Sequence, residues 1–439
     1  MNDITSISTS ETLPRPVAPL RRNVGYGVLV GLFFIGFFQR FSPSTLADAM
    51  ARDLGTTAAA LGAIVSMNFW VYTLMQLPAG ILIDRYGVRR IVAGGAALTT
   101  CGAYVLSIAQ DTAMAMLGPA LVGLGTSSVF SGIMKYNMLW FPAHRYAMVT
   151  GITMLLGTLG SLMAEGPAEM ALAWVDWRTL LQVIAVATML LSATVFMMVR
   201  DAPDVAPGGN EPATRNVLDR RTLARRVAMT LSNRQLWKLL ACTAGTNGTF
   251  YAFIGLWAVT YLANHEGMDR VIAVAIASAS MAAYGIGSLL IGQFSDRAAA
   301  RKPFIAGCAV AGACAWLILA WHPAMPSAAV AFLCILLGLS ASQVTVSFTA
   351  IKESVDVDAG ATAIALGNTG VFLVAAAVQV LYGVILDAGS ATQGAIVESS
   401  LARGAYGHAM WLPAILACLG VVAALAVRET CATGRRVPA

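Results

Sequence analysis

Apolar runs long enough to cross a bilayer recur along the whole chain. A transmembrane helix needs about 20 consecutive, mostly apolar residues. Such runs fall at about 24–47, 59–82, 89–109, 112–140, 146–168 and 178–199, and again at 236–262, 271–294, 303–321, 327–351, 360–387 and 409–427. A polar, arginine-rich segment separates the two sets of six. The chain is 58% hydrophobic and only 11% charged, against about 25% charged for a soluble domain. No water-soluble fold can hide that much apolar surface. The sequence therefore predicts an all-α membrane protein with twelve transmembrane helices. Residues 1–22 read as a disordered polar tail and lack the basic-apolar-small pattern of a cleaved signal peptide. The expected units are 23–200, a linker 201–234, 235–428 and a tail 429–439.

Net charge is +6, and topology accounts for it. With both termini on one side, 22 of the 28 Lys and Arg fall on that side, among them Arg21, Arg22, Arg85, Arg89, Arg90, Arg297, Arg301 and Lys302. Arg52, Arg178, Arg270 and Arg403 fall on the other. The positive-inside rule then puts both termini in the cytoplasm. The expected setting is a bacterial inner membrane, crossed many times. The charge is not a nucleic-acid footprint. The seven cysteines form no CxxC and no Cys/His cluster, so neither a disulfide framework nor a metal site is expected. No cofactor is expected, and no nucleophile–base pair suggests an enzyme.

Two segments match each other. "GILIDRYGVRR", Gly80 to Arg90, and "GQFSDRAAARK", Gly292 to Lys302, both read G-x-x-x-D-R-x-x-x-R-[RK]. They lie 212 residues apart, each at the cytoplasmic end of the second span in its half. With this motif the chain resembles the major facilitator superfamily of secondary transporters. The resemblance implies two six-helix bundles around a central cavity, related as parallel repeats and opening alternately to each side. It also implies a cytoplasmic latch of the outward-open state formed by Gly80, Asp84, Arg85, Gly87, Arg89 and Arg90. Asp296 and Arg297 are expected to contribute more weakly, because Ala299 replaces the inner glycine.

Two cations lie inside spans, Arg40 and Lys135. An arginine at the centre of a spanning helix costs about 2.5–3.5 kcal/mol, so each asks for a reason. In the family, spans 1, 4, 7 and 10 line the cavity. On span 1, Gly36, Arg40 and Ser44 share a face; on span 4, Gly125, Ser128, Ser131 and Lys135 do. Both cations are expected to face the cavity and attract an anion or a carboxylate end, which the arginine fork suits. The structural alternatives are snorkelling of Lys135 to the interface, and pairing of Arg40 with Asp48 or Glu165. In the second half the polar candidates are Asn247 and Tyr251 on span 7, Gln343 on span 10 and Asn368 on span 11. Interhelical hydrogen bonding is their equal alternative. Glu165, the one acid well inside a span, is the candidate carrier of a coupling proton, with a structural ion pair as the alternative.

"FFQRFSPSTLADAM", "MKYNMLWFPAHRYAMVTG" and "AGATAIALGNTGVFLVAAAVQVLYGVILD" further resemble a proteobacterial branch of the superfamily that includes phagosomal nutrient transporters. That likeness implies import of amino acids or nucleosides. With the two cations, the expected protein is a monomeric secondary transporter, in the lipid bilayer, of a small carboxylate-bearing solute, an amino acid or organic acid. Two other functions stay open. One is export of drugs or siderophore-like metabolites, weakened by the absence of paired glycines after "GP" at 166–167. The other is a non-transporting sensor on a transporter fold. The linker stretch "LDRRTLARRVAMTL" is expected to lie on the anionic inner leaflet.

Overall fold

The computed structural model describes residues 19–141, 143–201, 232–321, 325–355, 360–391 and 398–431. The amphipathic linker stretch and most of the N-terminal tail lie outside them. The described residues are helical, with short connections. The first six helices are α1 (Pro19–Leu54), α2 (Ala58–Tyr86), α3 (Val88–Ser107), α4 (Thr112–Trp140), α5 (Ala143–Leu172) and α6 (Trp177–Met198). A continuous helical run, α7, covers 234–265 and alternates α and π turns. α8 (Arg270–Ala298) and α9 (Lys302–Trp321) follow. α10 (Ser327–Glu353) is broken at Ser342–Gln343, and α11 (Gly360–Ala391) and α12 (Glu398–Leu425) complete the order.

Nine helices among the described residues are long and apolar enough to cross a membrane. The expected spans 3, 5 and 7 are helical without reaching that apolarity. α3 opens on Arg89 and Arg90, and α5 carries Thr, Ser and Glu. α7 is buried along nearly its whole length, so its residues meet protein instead of lipid. α1 runs further than the apolar pattern suggests, through Pro43 to Leu54. Gly55, with φ 55°, ends it in a conformation that costs glycine little.

Helix packing repeats between the halves. In the first half α3 packs on α4 and α6, α2 on α4, and α1 on α5. In the second, α9 packs on α10 and α12, α8 on α10, and α7 on α11. Contacts between the halves run α2 to α11, α5 to α8 and α1 to α7.

The two motif copies share a further partner. The Arg89 backbone N–H donates to Asp201 Oδ1 at 2.8 Å, just beyond α6. The Arg301 N–H donates to Glu429 Oε1 at 2.8 Å, just beyond α12. The Lys302 N–H donates to the other Glu429 oxygen at 3.0 Å. Each carboxylate satisfies orphan donors at the start of the third helix of its half. Val199-Arg200-Asp201 and Val427-Arg428-Glu429 are thus a second internal match, V-R-[DE]. Burial raises the Glu429 carboxyl, but donation from the backbone of Arg301, Cys431, Lys302 and Thr430 outweighs it and lowers its pKa.

Candidate functional site

Arg40 sits on α1 where the two halves meet. Its side chain is 5% exposed. The guanidinium carbon lies 4.2 Å from the Tyr72 ring centre and 4.8 Å from that of Phe372. Phe37 and Phe69 are at 5.5 and 5.9 Å. These rings come from α1, α2 and α11, so the cage spans both halves. Among the described residues Arg40 forms no ion pair, and its buried Nε has no hydrogen-bond partner. Cation–π attraction offsets part of its desolvation, and it leaves the planar fork of donors unused.

The aromatic floor continues into the second half. Tyr251 stacks on Phe372 with ring centres 5.8 Å apart and meets Phe41 edge-on at 5.7 Å. Its hydroxyl bonds that of Tyr284 on α8 at 2.7 Å. Phe372 stacks in turn on Phe69 at 5.6 Å. Sequence reasoning found Arg40 and Tyr251 and missed Phe69, Tyr72, Tyr284 and Phe372. The spacing of Phe69 and Tyr72 on one face of α2 was the available signal.

On one side of this layer the halves are tied together. Arg270, at the start of α8, pairs with Asp48 on α1 and with Glu169 on α5. It also donates to the Thr45 carbonyl at 2.7 Å. Asp387, near the end of α11, accepts from the backbone N–H groups of Ala58 and Ala59 at 3.0 and 2.9 Å, capping α2. α2 and α11 approach so closely that a Cβ at Gly62 would lie 2.5 Å from the Gln379 carbonyl. A Cβ at Gly383 would collide with Ala58. Asp48 is thus the partner of Arg270 and not of Arg40. Arg270 itself had counted only towards topology in the sequence.

At the other end of α2 no such tie joins the halves among the described residues. Gly80 has open space where a Cβ would stand. Arg85 lies over its own neighbour Tyr86. Arg89 lies over Phe196 of α6 and donates to the Phe196 carbonyl. Gly87, with φ 89°, makes the α2–α3 turn against Asp201. Arg90 opens α3. The Asp84 side chain lies outside what is described. The motif therefore packs within the first half here. In the second copy Arg301, not Arg297, makes the ties, reaching Asp296 and Glu353, while Arg297 is exposed.

Several candidates lie away from Arg40. Ser128 does not face the centre: a Cβ on Gly95 of α3 would strike its hydroxyl, and Gly125 packs on Gly95 and Thr99. Small residues there let α3 and α4 approach, so this face is a helix–helix seam. Ser131 is half-buried on the same helix. Lys135 donates to the Ile83 carbonyl at 3.1 Å. Gln343 donates to Thr246 Oγ1 at 2.7 Å and pairs with Ser347. Asn247 reaches the same threonine at 3.4 Å and keeps a buried Oδ1 without a partner. Asn368 is half-buried on α11.

Glu165 is fully buried on α5, one turn before Glu169. Neither carboxyl oxygen has a partner among the described residues, so the structural ion pair allowed by the sequence is not present. A cavity of ≈ 30 Å³ lies within the first half, bordered by Gln39, Arg40, Asn68, Pro119 and Leu181. It has room for a water or two and is too small for an organic solute.

Comparison with known proteins places this geometry. The profile of the Major Facilitator Superfamily matches residues 28–379. An uncharacterized transporter of Bacillus subtilis, YybO, is 24% identical over 251 residues, 55% of this chain and 57% of that protein. A putative tartrate transporter of Agrobacterium vitis is 26% identical over 242 residues, 52% of this chain and 54% of that one. The matched stretch thus spans a little over half the length of these relatives. A bacterial homologue of the human lysosomal transporter Spinster, solved in an inward-facing, unoccupied conformation, superposes with a TM-score of 0.76. It is 15% identical, and the match covers 95% of this chain and 99% of that one, a likeness of fold. The chain belongs to the Major Facilitator Superfamily.

Proposed function

We propose that the protein is a secondary transporter of a small carboxylate-bearing solute, working by alternating access. The observation that carries this reading is Arg40: a buried cation at the meeting of two halves, with no anion of its own among the described residues. A group left so, in so costly a place, fits an anionic ligand that completes it. The tartrate transporter of A. vitis, named for a carboxylate, supports the class. Of the two solute types the sequence allowed, this favours an organic acid over an amino acid, because no carboxylate pairs with Arg40 to hold an ammonium.

The twelve helices are read as twelve spans in two six-helix bundles, 23–200 and 235–428, with both termini in the cytoplasm of a bacterial inner membrane. The 22-to-4 bias of basic residues and the repeated packing support this. In that orientation the Arg270 and Asp387 ties close the outer side, and the molecule is inward-facing, like its Spinster-related neighbour. The latch at Gly80, Asp84, Arg85, Gly87, Arg89 and Arg90 would then be disengaged, which fits its packing within one half. Glu165 is assigned the coupling proton: a buried carboxyl without partners is neutral most cheaply by holding one.

Thermal stabilisation of the purified protein by organic acids, amino acids, nucleosides and drugs tests the reading. Saturating ligand at about a hundred times Kd adds roughly 2.7 kcal/mol. The expected result is stabilisation by a carboxylate in the native protein, cut to about 0.4–1.4 kcal/mol in Arg40→Ala at the same ligand concentration. Stabilisation of both by uncharged or lipophilic compounds alone would overturn it.

A further inference from the structure

The walls around Arg40 narrow the solute further. Resting on the carboxylate reading, we propose that the solute is an aromatic monocarboxylate: one carboxylate on a flat, unsaturated ring, without an ammonium group.

The charge comes first. Arg40 is the only cation in the aromatic layer among the described residues. Lys135, the other cation within a span, is bound to the Ile83 carbonyl. Ile83 lies eleven residues along α2 from Tyr72, about 16 Å at 1.5 Å per residue. Small diacids cannot reach across that distance. Arg270 is held by Asp48 and Glu169. One available cation matches one negative charge, and a second carboxylate would be buried without a partner.

The surroundings are aromatic. A solute that reaches the guanidinium meets Tyr72, Phe372 or Phe69; Phe69, Phe372 and Tyr251 stack in series, and Tyr72 meets Phe372 edge-on. Flat rings stack on such faces and keep their own faces off water. A polyhydroxylated chain would lose its water hydrogen bonds and find few replacements: beside Arg40 the buried oxygens without partners among the described residues are Gln39 Oε1 and Asn68 Oδ1, on the first-half side. Thr246, Gln343 and Ser347 are bonded to one another. Within the ring layer the polar groups are the Tyr72 hydroxyl and the hydroxyl pair Tyr251–Tyr284. They suit a ring with a single polar substituent better than a hydroxyl-bearing chain.

The experiment is equilibrium binding to the purified full chain. Benzoate, phenylacetate, cyclohexanecarboxylate, phenylalanine, tartrate and benzyl alcohol are each titrated directly by calorimetry, and then in competition with whichever binds most tightly. The expected order puts benzoate and phenylacetate about threefold to tenfold ahead of cyclohexanecarboxylate, tartrate and phenylalanine, the size of a ring-stacking preference. Benzyl alcohol fails to compete. Tyr72→Leu and Phe372→Leu weaken benzoate about tenfold, while Tyr72→Phe and Phe372→Tyr retain it. If tartrate or cyclohexanecarboxylate binds as tightly as benzoate, and Arg40→Ala abolishes that binding, the aromatic proposal falls and the carboxylate reading stands. If no carboxylate binds the native protein, the carboxylate reading falls with it. The ranking on the native protein decides, whatever the folding of the leucine variants.

Discussion

A charge-assisted contact is worth about 1.5–3 kcal/mol, so Arg40→Ala is expected to weaken carboxylate binding by about 10- to 100-fold in calorimetry. Arg40→Lys, which keeps the charge and loses the fork, is expected to weaken it by about tenfold. Arg40 was legible in the sequence because a charge in an apolar helix is costly wherever it points. Its cage was not legible, because Tyr72 and Phe372 arrive from α2 and α11, and helical periodicity says which residues share a face without saying what that face meets. The same limit explains Ser128, which lies on a small-residue face that packs on α3. Glu165→Gln mimics the protonated acid. Solute binding should survive in this variant while accumulation driven by a pH gradient disappears. Loss of binding and accumulation together would show Glu165 to be structural.

At the level of elements, the apolar runs fall on helices of the described residues, nine of them long and apolar enough to cross a membrane, and the G-x-x-x-D-R repeat falls at the turns between α2 and α3 and between α8 and α9. The V-R-[DE] match after α6 and α12 went unread, because three residues are too few to notice until Asp201 and Glu429 are seen on the same backbone donors. Those carboxylates act as caps, so Glu429→Ala should cost about 1 kcal/mol of stability, visible as a lowered Tm. The sign with pH follows from the lowered Glu429 pKa. Its contribution is present above the ordinary carboxylate value of 4.5 and is lost as pH falls through the lower folded value. The Tm difference between native and Glu429→Ala should therefore shrink on acidification. The glycine approaches between α2 and α11 make a second test. Gly383→Leu has no room beside Ala58 and should drive the α2–α11 ends apart. A cysteine at Ser44, buried on α1, would then react with an impermeant maleimide from outside, as it would not in the parent.

For the whole molecule, the ties between halves among the described residues gather at one end, through Arg270, Asp387 and the α2–α11 glycines. That end was not legible in the sequence, since which helix ends meet depends on how the same helices are arranged. Arg270 links α8 to both α1 and α5, so Arg270→Gln should raise maleimide labelling of the same Ser44 cysteine severalfold. Arg297→Gln, altering an exposed side chain, should leave it unchanged. Arg40, on the proposed reading, anchors an organic anion carried across the bilayer. Uptake into proteoliposomes of whichever carboxylate binds most tightly, corrected for protein-free liposomes under the same pH gradient, tests this most directly. Saturable, protein-dependent uptake by the native protein is expected, lowered about tenfold or more in Arg40→Ala at subsaturating solute. Equal uptake by native and Arg40→Ala proteins would contradict it.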